Sequence, residues 1–432
     1  MEKVSIRKRF ILAKVLIHSL VFTPDGVSNA YLYRDLAVEL QRRGHKVTVL
    51  TTTPHYNVLH QELIKQPLTK RLGGLYATSS LGSVKVIHIP MFKKSPKHLV
   101  RIISALWFNL GALLIGVIVS GRQDIVFASS PPLSNGMVGR VLAWIWGVPS
   151  AYIVQDVFPD GLIRQGIIRS KVLIAFLRKL EKIVYNSNDL VVVIAQSFMT
   201  TLRSRINKLE SLRLIENFVD IDFYRLLQRH NDFSLKHGLD DCFVVSYVGN
   251  IGNAQDFRPV IHAAKELKNL PIKFVFVGDG ILRQSLEQQI LEHNLQNISV
   301  LGYIPRDDTP WVNASSDICL VLLSQHIQGC SFPSKIFSIM ASGRTAFITA
   351  DEGSDLIRVV QESGSGRVVP VGDRDAFVNE IRRAFYEREV LIAEGLKARD
   401  YVVKNYSKEA ISAKYDQLIH ELCIEDSRSK RK

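Results

Sequence analysis

Cysteine is scarce. Cys242, Cys319, Cys330 and Cys423 are the four in 432 residues, and none stands at metal-ligand spacing from another. Two of them lie in apolar, strand-like runs, so reduced thiols are expected rather than a disulfide framework or a zinc site. A G-x-G-x-x-G is missing, which argues against a dinucleotide-dependent oxidoreductase. A P-loop, a Ser–His–Asp set and a metal-ligand cluster are missing too, and no metal is expected. No basic run is interleaved with aromatics, so nucleic acid is not an expected partner. Residues 1–22 begin basic and turn apolar, but Lys14 interrupts the run and no small-residue cleavage site follows. The expectation there is a short basic arm ahead of the first strand, not a leader.

Acids are in deficit. Lys and Arg number 55 against 41 Asp and Glu, a net charge of +14, which points to anionic partners such as phosphates or an anionic membrane surface. Hydrophobic residues are 47% of the chain, enough for large cores, and the length suggests two domains.

The chain alternates strands and helices. Residues 13–18 read as a strand, 24–28 as a loop, 29–43 as an amphipathic helix ended by Gly44, and 46–51 as the next strand, a parallel crossover unit. Residues 53–83 read as loop-rich, with Lys65, Lys70 and Arg71 either solvated or facing acceptor or lipid phosphates. Residues 102–119 form an 18-residue apolar run at the edge of a transmembrane length, preceded by Lys93, Lys94, Lys97, His98 and Arg101. A spanning helix would put the strand at 124–128 across the membrane from its own sheet. The preferred reading is a helix dipping into an anionic membrane surface, with Lys93, Lys94, Arg101, Trp107 and Phe108 as contacts; a plain buried helix is the alternative. Strands follow at 150–154, 189–194 and 212–216. A polar stretch at 231–241 precedes a fresh apolar strand at 242–249, which sets a boundary near Leu235.

The segment QHIQGCSFPSKIFSIMASGRTAFITADEGS, residues 325–354, joins a buried strand at 317–323 to a helix and a strand at 345–349. Pro333 suits a first helical position, Ser331 or Ser334 a cap, and Gly343 a C-terminal cap with positive φ. Lys335 in the first turn, beside free amides, makes an anion site.

FPSKIFSIMASGRTAFI resembles the donor-site helix of family-4-type glycosyltransferases, and its PSK form resembles the branch acting on lipid-linked sugars in bacterial surface-polysaccharide assembly, of colanic-acid and O-antigen type. Similar segments run along nearly all of the chain: PDGVSNAYLYRDLAVELQRRGHKVTVLTTTPHY, RQDIVFASSPP, QDVFPDG, ENFVDIDFYR, YVGNIGNAQDF and FVFVGDGILRQSLE. The resemblance implies the GT-B α/β fold: two Rossmann-like parallel-sheet domains facing a cleft, residues 1–234 on the acceptor and membrane side and 235–407 on the donor side, with 408–432 crossing back. In many relatives an acid is followed, after seven residues, by a second acid that holds the ribose; here Cys330 and Ser338 stand at those positions.

The implied function is retaining transfer of a hexosyl or N-acetylhexosaminyl group from a nucleotide sugar, a UDP-sugar above others, to a lipid-linked glycan acceptor, without metal or cofactor, on the inner face of the cell membrane. On the donor side the resemblance places Gly26, Asn250, Gly252, Gly278, Asp279, Tyr303, Ile304, Ser334, Lys335, Ser338 and Glu352. Lys335 carries the diphosphate, with Arg258 a second candidate cation, since Asn250 and Gln255 stand where many relatives have basic residues. On the acceptor side it places Ser129, Ser130, Asp156 and Asp160, and Asp156 is the group that meets the attacking hydroxyl. The replaced acids keep a second reading open, a non-catalytic nucleotide-sugar-binding subunit. A sugar-nucleotide epimerase on the same scaffold is a third.

Overall fold

A computed structural model describes residues 12–58, 60–91, 98–327 and 329–429. It contains two sheets. The first has nine strands: β1 (Lys14–His18), β2 (Lys46–Thr52), β3 (Thr69–Arg71), β4 (Tyr76–Leu81), β5 (Val84–Ile89), β6 (Ile125–Ser129), β7 (Ser150–Val154), β8 (Leu190–Val193) and β9 (Leu212–Leu214). Their order is β3-β4-β5-β2-β1-β6-β7-β8-β9. The second has six: β10 (Phe243–Val248), β11 (Ile272–Val277), β12 (Ile298–Val300), β13 (Ile318–Val321), β14 (Thr345–Thr349) and β15 (Arg367–Val369), in the order β12-β11-β10-β13-β14-β15.

Apart from the β3–β4–β5 edge, all pairings are parallel. Parallel strands covered by helices on both faces need continuous apolar runs. VLI in β1, IVFA in β6 and VVV in β8 supply them, each residue almost fully buried. The register sets Val15 beside Val47 on one side and Ile125 on the other.

Residues 53–83 depart from the loop-rich expectation. They hold a helix, His60–Lys65, and the antiparallel strands β3 and β4. These strands escape a pattern reading because they form an edge: β3 is exposed throughout and β4 is mostly polar, as edge strands are. Lys70 and Arg71 are exposed there, and Lys65 pairs with Glu62 at 2.7 Å. None of the three reaches the cleft.

The long apolar helix, His98–Ser120, is the crossover between β5 and β6, two strands of one parallel sheet. It therefore lies along that sheet, with Phe108, Ala112 and Ile115 buried against it. Phe108 is 1% exposed and stacks on His18, its ring 5.6 Å away, so this residue packs the core instead of meeting a membrane. Trp107, one position before, is 42% exposed. Lys93 and Lys94 fall outside the described residues, and so does the side chain of Arg101.

The halves are joined at several points. The last helix, Lys408–Ser429, packs on the first, Ser28–Arg42, where His45 Nε2 meets Asp416 at 2.8 Å. Asp355, at the start of the Asp355–Ser363 helix, accepts the backbone N–H groups of Gln196 and Ser197, both at 2.9 Å. It thereby caps the Gln196–Arg203 helix of the other half. Val157 donates its N–H to the Cys330 carbonyl at 2.9 Å, and Asp156 and Ser331 form an antiparallel bridge.

Candidate functional site

The two sheets face each other across a cavity of about 710 Å³, walled by the loops that leave β1, β7, β10, β12 and β13 and by the Lys335–Ala341 helix. In open α/β sheets this carboxyl edge of the strands is where ligands bind.

Lys335 is the first residue of its seven-residue helix, two positions later than a Pro333 start would give. Ser334 precedes it in helical backbone and makes no side-chain cap, while the Ser331 hydroxyl is drawn to Asp156. Gly343 takes φ 66° after the last turn, as its position suggests. The Lys335 amine lies over the Tyr247 ring, 3.8 Å from its centre, and finds no hydrogen-bond partner among the described residues. Stripped of water and without a counter-charge, it is pushed down to about pKa 7. Tyr247 is fixed beneath it by donating its hydroxyl to the Asn250 carbonyl at 2.6 Å.

Glycines let backbone come this close. Gly249 has φ +136°, and a Cβ there would stand 2.9 Å from the Lys335 amine. A Cβ on Gly278 would sit 1.9 Å from the Gly249 carbonyl oxygen, so the loops after β10 and β11 cross in backbone contact.

Of the donor-side residues expected, Gly26, Asn250, Tyr303, Ile304, Ser334, Lys335 and Ser338 line this cavity. Tyr303 is half exposed at its mouth. Ser338 donates its hydroxyl to the Lys335 carbonyl at 2.8 Å. Gly26 is held by a different constraint than a phosphate: its Cβ would meet the Asn57 carbonyl at 2.4 Å, and its N–H donates to Tyr56.

Four expected donor contacts lie elsewhere. Gly252 is off the lining and donates its N–H to Gln255 Oε1. Gly278 serves the crossing described above. Asp279 is exposed, bonding the next amide and facing Arg283. Glu352 belongs to a second hollow of about 300 Å³ beside Arg164 and Ser197, which shares the 331–333 wall with the first. Arg258, the second candidate cation, is also off the lining and clasps Asp256 at 2.8 and 2.6 Å.

On the acceptor side only Asp156 reaches the cavity. Burial lifts its carboxyl to about pKa 6 against the stabilising hydroxyl of Ser331. Asp160 is spent on a buried ion pair with Arg205, which also binds Glu181 at 2.8 Å. Ser129 and Ser130 lie under the lining: Ser130 Oγ accepts the Gln155 N–H at 2.8 Å and the Ser129 carbonyl accepts Asn135 Nδ2 at 3.0 Å. They shape the loop that presents Asp156. Cys330 is 1% exposed and packed in an apolar cluster, with Gly161 beside it, so it adds no polar group to the cavity.

Three features of the site carried no sequence signal of their own. Gln155, Asn217 and Tyr33 form a buried amide–amide–phenol triad: Gln155 Nε2 donates to Asn217 Oδ1 and Tyr33 Oη at 3.1 and 3.2 Å, and Asn217 Nδ2 returns to Gln155 Oε1 at 2.8 Å. Tyr247 supports the lysine. Arg306, from the second half, is sandwiched between Tyr31 and Phe223, 4.1 and 4.0 Å from their ring centres. Two such stacks on a partly desolvated guanidinium are together worth about 1–2 kcal/mol. Arg306→Ala is therefore expected to lower the stability of the folded protein by about 1–2 kcal/mol, read by chemical denaturation.

Two facing parallel-sheet halves, a cleft between their carboxyl edges and a helix crossing back define the GT-B fold. Comparison with known proteins agrees. The profile described as Glycosyl transferase 4-like domain matches residues 28–217, and that described as Glycosyl transferases group 1 matches 242–386. The chain belongs to this family of glycosyltransferases. It is 23% identical to the putative colanic acid biosynthesis glycosyl transferase WcaI of Escherichia coli K12, covering 92% of this chain and 97% of WcaI. It is 25% identical to the probable glycosyltransferase WbjE of Pseudomonas aeruginosa over 70% of this chain and 76% of WbjE. Among solved structures, HepE of Anabaena in complex with UDP-glucose superposes with a TM-score of 0.70 at 16% identity, covering 95% of this chain and 100% of HepE.

Proposed function

We propose that the protein is a retaining glycosyltransferase of surface-polysaccharide synthesis, moving a hexosyl or N-acetylhexosaminyl group from a UDP-sugar to a lipid-linked glycan at the inner membrane face. The observation that carries this is the Lys335 amine: buried over Tyr247, without a counter-charge, on a residue that lines the cavity between the two sheets. A group so placed is costly to the empty fold and is repaid by an anion. A nucleoside diphosphate fits the cavity and supplies that charge. The names of WcaI and WbjE support the polysaccharide setting, and the UDP-glucose bound by HepE supports the donor class.

In this reading the half formed by 235–407 holds the donor, and 1–234 with 408–432 offers the acceptor. The C1–oxygen bond to the diphosphate breaks as negative charge gathers on the leaving group, where Lys335 and the backbone N–H of Asn250 meet it. The acceptor hydroxyl enters on the same face, held by Asp156. Its oxygen bonds C1 and its proton passes to the departing diphosphate oxygen. Positioning and charge stabilisation replace a protein nucleophile, and the lysine takes the place a divalent cation would have.

The test offers UDP-, GDP- and TDP-sugars with and without lipid-linked acceptor and measures nucleoside diphosphate release. Release that requires acceptor, with turnover unchanged by chelator, supports the reading. Binding without release assigns a non-catalytic subunit, and conversion of the sugar without acceptor assigns an epimerase.

A further inference from the structure

Three helices of the first half carry an apolar face that none of the described residues covers. His98–Ser120 packs beside Leu133–Trp146, which packs beside Lys171–Ser187. Each has an inner side committed to the protein: Phe108, Ala112 and Ile115 on the first; Val138 and Leu142 on the second; Val184 and Tyr185 on the third. Each also has a second apolar side pointing outward. Leu110, Leu114 and Ile118 repeat every four residues and are 59, 63 and 75% exposed; Trp144 is 73% exposed, Val172 82% and Phe176 61%. Of the stretch Ile103–Ser120, apolar enough by composition to enter a bilayer, 28% is buried. Exposed apolar residues grouped on three helices that pack side by side mark an interaction surface.

The charges name the partner. The three helices contain one acid, Glu181, and it is buried against Arg205. Exposed cations stand among the apolar residues: Lys171, Lys179 and Lys182, with Arg178 also exposed but 3.5 Å from Asp160. Asp189, just beyond the third helix, is neutralised by Arg140 at 2.9 Å. A second copy of the chain meeting this face about a two-fold axis would set like charges against each other. An apolar stripe flanked by lysines and arginines, with tryptophan on two of the helices, suits a headgroup layer of negative charge.

We infer that the helices His98–Ser120, Leu133–Trp146 and Lys171–Ser187 form one docking face for an anionic lipid bilayer, with Val172 and Phe176 entering the acyl boundary. This rests on the lipid-linked acceptor proposed above and goes beyond the first helix, because the Lys171–Ser187 helix supplies most of the described cations. The face borders the site. Leu133 begins its helix four residues after β6 ends at the cleft, and the strand after that helix, β7, leads into Asp156. An acceptor held by its lipid in the bilayer is thereby kept beside the cavity.

The test floats the full-length protein with vesicles of phosphatidylethanolamine and phosphatidylglycerol, or of phosphatidylcholine alone. The wild type is expected on the anionic vesicles, released by high salt, and largely free of the neutral ones. Trp144→Glu combined with Phe176→Glu is expected to lower partitioning by about tenfold or more, with melting temperature and UDP binding unchanged. Equal partitioning of the variant, or no wild-type binding, overturns the inference. So does a dimer in light scattering that the variant dissolves, since the face would then belong to a second copy. Lost flotation with transfer to a detergent-soluble acceptor intact counts against docking alone; intact flotation without any transfer counts against the glycosyltransferase reading alone.

Discussion

Lys335→Met is expected to abolish sugar transfer, by about a thousandfold or more in kcat/KM, and to raise the stability of the empty protein. Methionine keeps the length of the chain over Tyr247 and removes the charge. The stability effect has a defined pH course. In the folded protein the amine titrates near pKa 7, against an ordinary lysine value of about 10.4 in the unfolded chain. Between those values the unfolded chain binds more protons, so the wild type gains stability as pH rises from 7 toward 10. The gain is on the order of a few kcal/mol, and the variant lacks it. Chemical denaturation across that window checks the slope. A diphosphate beside the amine restores its proton, so UDP binding at pH 8 takes up about one proton per site. Calorimetric titration in buffers of different ionisation enthalpy measures the uptake, which the variant abolishes. Unchanged turnover in Lys335→Met would remove the lysine from the diphosphate site.

Asp156→Asn is the second large effect. The side chain stays the same size and keeps an acceptor for Ser331, but it cannot take negative charge. Transfer is expected to fall by about 10²–10³-fold. The wild-type carboxyl is protonated below about pH 6, so kcat/KM should rise through that pH as the proton leaves, and the limb should be absent from the variant. Stability moves the other way. A carboxyl raised in the folded state retains its proton longer than in the unfolded chain, so its contribution grows as pH falls from 6 toward 4. At neutral pH the charged form is the disfavoured one, and the Asp156→Asn variant should melt no lower than the wild type. Activity lost without stability lost assigns Asp156 to the reaction.

The fold was largely legible because its elements announce themselves. Strands such as VLI and VVV are continuous apolar runs, and the glycines at 44, 147 and 343 stop helices in turn. What was hidden depends on partners far along the chain. The edge strands β3 and β4 are too polar to read as strands. Phe108 and Trp107 are adjacent in an apolar run, and only packing on His18 decides that one faces inward and the other outward. Lys335 was legible at its helix start beside a buried strand, but not the absence of a counter-charge or the ring below it. The two acids of QDVFPDG look equivalent in sequence; Arg205, 45 residues on, claims Asp160 and leaves Asp156 to the cavity. Ser129 and Ser130 stand at the right strand end, yet the chain turns there through Pro131 and Pro132 and the serines fold under the loop.

The carboxylate of Asp355 sits in one half and satisfies two amides of the other. Separating the halves would bare a helix end and leave the acid only Arg358, at 3.5 Å, so this contact ties the two halves together. Where passage of the nucleotide through the cleft requires the halves to part, this contact is one that has to break. Loosening Asp355 should quicken release where release sets the pace, and leave the chemical step as it was.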